Sequence, residues 1–407
     1  MGNLWILGIL LCASTIAFAG KLEEVFSWNK VDYEFPNKTA REEAIASKTF
    51  IPEHNIPVGV EKWQNKLFLT VPRWKTGVPS TLNYIDLTKS ADTKSPKLIP
   101  YPNWESHDLT NNNDTRIISP FRIRADECDR LWVLDSGIDD VLGSFNVMTG
   151  PYLLIYNLNT NELIRKYEIP TKDLSEHSFV ANVVVDITKS NCEDAYAYIS
   201  DFSGYAIIVY SFAKNESWRV NHNFFHFDPL SGDYTIGKVN FQWTDGIFGL
   251  ALSPVHENGF RTMYFHPMSS TKEFTVSTEV LKNKTRAVDP HSYYDFKLLG
   301  DRGDKTQSTT NFIDEPSNVL FYTQINRDGI ACWNTKKPFT ADNLVLFDSD
   351  NTTLVFPNDL KVDTDSNLWV VTDRLPIFMY SHLDYQDINF RVLKGAVKNI
   401  IADTRCA

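Results

Sequence analysis

The mature part of the chain repeats one phrase. A modest alternating apolar strand is followed by a polar turn, a stronger apolar strand, and a third strand that often ends in Tyr. The phrase is plainest in Phe121-Arg-Ile-Arg-Ala-Asp126, Arg130-Leu-Trp-Val-Leu-Asp135 and Leu153-Leu-Ile-Tyr156. It returns as Asn182-Val-Val-Val-Asp186, Ala195-Tyr-Ala-Tyr-Ile199 and Ala206-Ile-Ile-Val-Tyr210. A third copy reads Phe356-Pro-Asn-Asp-Leu-Lys-Val-Asp363, Asn367-Leu-Trp-Val-Val371 and Ile377-Phe-Met-Tyr380. Looser copies begin at Gly59, Asp245 and Asn311, and the equivalent turn residues are read as Glu61, Asp126, Asp186, Ser253, Asp314 and Asp363. No stretch keeps a helical period.

Six such units, none able to bury both faces of its own sheet, predict an all-β fold. The architecture expected is a six-bladed β-propeller with a central channel, formed as one domain over residues 20–407. Outside the six units, Val25 to Tyr33 alternates like an edge strand, as does Arg391-Val-Leu near the C-terminus. In a closed ring, one terminal strand completes the blade begun by the other.

The first residues depart from this pattern. Leu4 to Phe18 is almost wholly apolar and ends in Ala17-Phe18-Ala19 before Gly20, so residues 1–19 read as a secretory signal peptide. The run is short of the roughly 20 residues a spanning helix needs, and no membrane insertion is expected. Export permits disulfides, and four cysteines follow the signal: Cys128, Cys192, Cys332 and Cys406. Four allow three pairings. Cys128–Cys192 is favoured because both lie at turns of neighbouring units, and Cys332–Cys406 because it fixes the tail to the fifth unit. Glycosylation sequons stand at Asn37, Asn113, Asn215, Asn283 and Asn351.

Composition narrows the partners. The 26 Phe, 17 Tyr and 10 Trp supply a β-rich core, and the net charge of −11 argues against nucleic acid, which needs a basic face.

Several stretches resemble the Yellow / major royal jelly protein family. They include Cys128-Asp-Arg-Leu-Trp-Val-Leu-Asp-Ser-Gly137, Asp245-Gly-Ile-Phe-Gly-Leu-Ala-Leu-Ser-Pro254 and Tyr264-Phe-His-Pro-Met-Ser-Ser270. Further matches are Glu273-Phe-Thr-Val-Ser-Thr278, Ala331-Cys-Trp-Asn334, Asp373-Arg-Leu-Pro376 and the segment from Leu383 to Arg391. The wording around Phe274, Asp373 and Asp384 is more similar to the cuticular Yellow branch than to royal jelly storage proteins or the salivary amine-binding proteins of blood-feeding flies. The resemblance implies a secreted six-bladed propeller. It also implies a role among those of the family: cuticle pigmentation, dopachrome conversion in melanin synthesis, sequestration of biogenic amines, or nutrition.

Familiar catalytic signatures are absent, and no motif asks for a metal or other cofactor. His222 and His226 sit in a β-type phrase where their spacing does not make adjacent ligands. Asp363-Thr-Asp-Ser-Asn367 imitates the start of a calcium loop, but Arg374 stands where its bidentate Glu belongs, so it reads as a strand-connecting turn. The site argument is instead geometric. The first strand of each unit lines the axis, and residues leading into it ring one mouth. This places Phe121, Asn182, Phe248, Phe356 and Asn358 as ligand-binding candidates, and Asp245 and Asp359 as candidates for a catalytic base. Aromatic walls with convergent carboxylate and amide groups suit a small aromatic amine or catechol-derived ligand. In the family's amine-binding members an aromatic residue leading into the sixth unit contacts the ligand, and Phe356 occupies that phrase. The readings open at this point are a dopachrome-converting enzyme, a non-catalytic amine binder and a structural cuticle protein.

Overall fold

A computed structural model describes residues 21–111, 115–188 and 190–407. Residues 1–19 and the sequon at Asn113 lie outside these. Six four-stranded antiparallel sheets carry the fold, five of them consecutive in sequence. Blade one comprises Gly59–Trp63, Lys66–Thr70, Leu82–Asp86 and Ile99–Pro100. Blade two comprises Pro120–Ala125, Arg130–Asp135, Tyr152–Asn157 and Leu163–Glu168. Blade three begins with Val180–Thr188, blade four with Ile247–Leu252 and blade five with Asn311–Asp314. Blade six joins the two ends of the chain: Pro357–Val362, Asn367–Thr372 and Phe390–Ala396 are closed by Glu23–Trp28. The first strands touch one another in order round the axis, and the sixth returns to the first. The chain is a six-bladed β-propeller.

Packing follows the strong–weak rhythm of the sequence. Every residue of Arg130–Asp135 is buried, whereas the outer strand Leu163–Glu168 has none buried. Leu131, Trp132, Val133 and Leu134 are fully enclosed between neighbouring blades. Burial of such large side chains contributes roughly 1.5–3 kcal/mol each. One polar device recurs at the turns. Asp126 accepts from the amides of Cys128 and Arg130 and from the Trp132 indole, at 2.9, 3.0 and 2.7 Å. Asp363 accepts from the amides of Asp365 and Asn367 and from the Trp369 indole, at 2.9, 2.9 and 2.8 Å. The calcium-like phrase is therefore a strand-connecting turn whose carboxylate is spent on its own backbone and a core Trp.

Three details differ from the sequence reading. Ile377 to Tyr380 is not a strand: it lies in the helix Leu375–Tyr380, begun by Pro376 in the first turn, where proline suits a helix start. The third strand of blade six is instead Phe390–Ala396. Glu61 and Asp186 lie within strands, not in the turns that follow them. Each blade also carries a fourth strand that the three-part phrase leaves out.

Disulfides join Cys128 to Cys192, linking blades two and three, and Cys332 to Cys406, tying the tail to blade five. Among the described residues no helix is long and apolar enough to cross a membrane.

Candidate functional site

At one mouth of the axis the segments leading into the first strands meet loops from all six blades around a cavity of about 270 Å³. That volume lies just under the usual range for drug-sized ligands, roughly 300–1,000 Å³, and suits a molecule of one or two rings. Its wall is an aromatic belt. Trp74, Phe121, Phe179, Phe202 and Phe248 follow one another with centroid spacings of 5.3, 5.3, 5.3 and 5.5 Å. On the far side Trp243 meets Phe356 edge-on at 6.0 Å, and its indole donates to the Tyr380 hydroxyl at 2.6 Å. Leu375 and Met379 of the short helix fill in between.

Among the described residues, Asp245 is the one acidic residue lining this cavity. Backbone bonds fix its position: Ser269 N donates to its carbonyl at 3.0 Å, and Gly246 N donates to Phe202 O at 3.0 Å. Among the described residues no hydrogen bond or ion pair reaches its carboxylate. The group faces the cavity and is only partly exposed, and burial away from bulk water pushes its carboxyl up to about 7. An unpaired carboxylate beside aromatic faces is a receptor for a cation.

The floor is polar and closed. Asn358 uses both ends of its amide: Oδ1 accepts from Arg122 at 2.7 Å and Nδ2 donates to Asp373 at 2.5 Å. Arg122 also donates to the carbonyls of Val58 and Asn358, and lies 5.7 Å from the Phe248 ring centroid. Burial pushes the Asp373 carboxyl up to about 8, while Asn358, the Leu375 amide and Arg122 pull the other way.

Five sequence candidates thus come together on the cavity: Phe121, Asp245, Phe248, Phe356 and Asn358. Two do not. Asn182 donates to Phe248 O at 2.9 Å and stitches blade three to blade four. Asp359 is fully buried, accepts from Val60 N at 3.0 Å and Lys361 Nζ at 2.7 Å, and lies beside Arg122 at 3.5 Å. It acts as wall structure. Trp74, Phe179, Phe202, Trp243 and Met379 escaped the sequence reading. Phe179 was reachable by the rule that selected Phe121, since it stands at the entry to a first strand; Trp74, Phe202 and Trp243 sit on loops without periodic pattern, and Met379 lies in the short helix.

A flap over residues 137–150 closes part of the mouth. Its ladder is two residues per strand, Ile138–Asp139 with Asn146–Val147, and it places Leu142 and Phe145 on the cavity. Gly137 at its base has φ +72°, and a Cβ there would lie 2.5 Å from Thr149 O, so both the turn and the space require glycine.

The histidines singled out earlier are structural. His222 accepts from Phe224 N at 3.0 Å and stacks on Tyr293 and Phe296, whereas His226 stacks on Tyr205. Among the described residues no group of three or more His, Cys, Asp or Glu is arranged to hold a metal. At the opposite mouth, a smaller cavity is lined by charges already paired, including Arg124 with Glu61 and Arg261 with Glu315.

The family model for major royal jelly protein matches residues 118–406. The chain belongs to the major royal jelly protein family. Within that family it is 43% identical over 418 residues to Protein yellow of Drosophila pseudoobscura pseudoobscura, covering 100% of this chain and 72% of the relative. It is 43% identical to Protein yellow of Drosophila melanogaster, covering 99% of this chain and 74% of the relative. Among solved structures a luciferin-regenerating enzyme aligns with a TM-score of 0.47 and 11% identity, over 84% of this chain and 91% of that one. The family-like phrases fall on the site: Asp245 and Phe248 open one, Met268 lies in another, and Asp373 and Leu375 in a third.

Proposed function

We propose that this protein is a secreted, N-glycosylated Yellow-type propeller of pigment formation that binds a protonated aromatic amine or related catechol derivative in its axial cavity. The observation that carries the reading is the unpaired Asp245 carboxylate at the end of an aromatic belt. A ring packs against Phe121, Phe179 and Phe202 by offset or edge contacts, and an ammonium group reaches Asp245. Secretion is supported by the signal-like leader and the two disulfides. Asn37, Asn215, Asn283 and Asn351 are exposed, as glycan acceptors must be.

Charge selectivity tests the reading. Titration calorimetry should show dopamine and serotonin binding one to one and much more tightly than uncharged catechol. Equal affinities for dopamine and catechol would contradict the role given to Asp245.

A second reading, dopachrome conversion, rests on the Asp245 carboxyl near 7, a value matched to proton transfer at neutral pH. Asp245 would take the proton from ring carbon and return it to oxygen, with no net redox change. The carboxylate that dopachrome itself carries is repelled by Asp245, which favours the amine reading. Saturable loss of dopachrome with a defined indole product, abolished by Asp245→Asn, would reverse that preference. Absence of both heat and product would leave the structural cuticle role.

A further inference from the structure

Behind the aromatic belt lies a second cavity, of about 520 Å³, between the flap and the segment leading into blade three. It shares Phe145, Phe179 and Phe202 with the axial cavity, so these three rings form the common wall. The rest of its lining has different chemistry. It presents the Ser203 hydroxyl, the Glu176 carboxylate and the His177 imidazole, while the Ser136 and Ser178 hydroxyls on its lining donate to Ser119 O and the Asp201 carboxylate. Glu176 and His177 are exposed, and among the described residues neither has a hydrogen bond or ion pair. The solvent-facing part of the wall is Phe145, 47% exposed on a flap whose Leu142 and Val147 are also exposed.

We propose that the two cavities are halves of one bipartite site, and that the outer half takes the sugar of an aryl glycoside whose ring lies in the aromatic belt. The proposal rests on the reading of the axial cavity as an aromatic site and extends its ligand class. A pyranose has apolar C–H faces, which pack on aromatic walls, and a rim of hydroxyls that donate and accept. The outer cavity supplies both surfaces. An anionic tail such as phosphate or sulfate is disfavoured by Glu176 and the net charge of −11. An ammonium tail leaves the donors of His177 and Ser203 unused.

Phenyl β-D-glucoside and phenol make a neutral test pair that does not involve the Asp245 charge. Calorimetry on the full secreted chain should show the glucoside binding at least about tenfold more tightly than phenol. The double variant Glu176→Gln, His177→Ala, at exposed positions, should erase that gain and leave phenol unchanged. A glucoside no tighter than phenol, or a gain indifferent to the double variant, overturns the proposal. Dopamine binding without a glucoside gain removes the bipartite site alone. A glucoside gain without dopamine binding removes the amine reading alone, and failure of every probe removes both.

Discussion

Asp245 illustrates how one side chain acquires a role from its surroundings. An ordinary carboxyl titrates near 3.8, and here burial without a compensating partner moves it to about 7. Between those values the folded chain holds a proton that the unfolded chain has released. This group's contribution to stability therefore falls as pH rises from about 4 to about 7. Ligand affinity runs the other way, since only the ionised form attracts an ammonium: dopamine affinity should climb with pH and level off above about 7. A pH series of calorimetric titrations measures it, and a flat profile would show that Asp245 does not hold the amine. Asp245→Asn should weaken dopamine by about a hundredfold, on the order of 2–3 kcal/mol, and abolish the pH dependence. Gly249 makes a separate point about packing. A Cβ there would lie 2.3 Å from the His266 ring, itself buried against Glu273 at 2.9 Å. Gly249→Ala should cost about 1–3 kcal/mol in denaturant unfolding through overpacking against His266.

At the level of elements, the closure of blade six decides how the ring holds together. The N-terminal strand Glu23–Trp28 pairs with Phe390–Ala396, and beyond it Cys406 is fixed to Cys332 across 74 residues. A loop of that length makes a bridge worth roughly 4 kcal/mol on chain-entropy grounds. Cys406→Ser should lower the thermal midpoint and raise hydrogen exchange in Phe390–Ala396 first; unchanged exchange there would place closure elsewhere. The first three strands of blades one to five were legible because their burial leaves an alternating apolar trace, as in Phe121 to Asp126. The fourth strands were not, because Leu163–Glu168 and Lys297–Asp301 face solvent and carry no such trace. Ile377 to Tyr380 misled because four apolar residues fit a buried strand or a buried helix turn equally well. The site was half legible for the same reason. Phe121 and Phe248 take their places from strands and Phe356 from the residue just before one, whereas Trp74, Phe202 and Trp243 take theirs from loops whose course only the folded chain reveals.

For the whole molecule, the ring is held at its axis by charge as well as by apolar packing between blades. Arg122 from blade two reaches Val58 beside blade one and Asn358 of blade six, with Asp359 close by. Removing one partner from such a buried network strands the others, typically at about 3–5 kcal/mol. Arg122→Met should therefore destabilise the protein by about that amount in denaturant titration, a loss shared by three blades. A neutral outcome would mean that the floor is held by packing alone. The same buried network carries Asn358, which lines the axial cavity together with Asp245. A crystal structure of the protein soaked with dopamine tests that account most directly. The account predicts the catechol ring against Phe121, Phe179 and Phe202, with its ammonium nitrogen about 2.7–2.9 Å from the Asp245 carboxylate. Dopamine bound outside the cavity, or an ammonium turned away from Asp245, would contradict it.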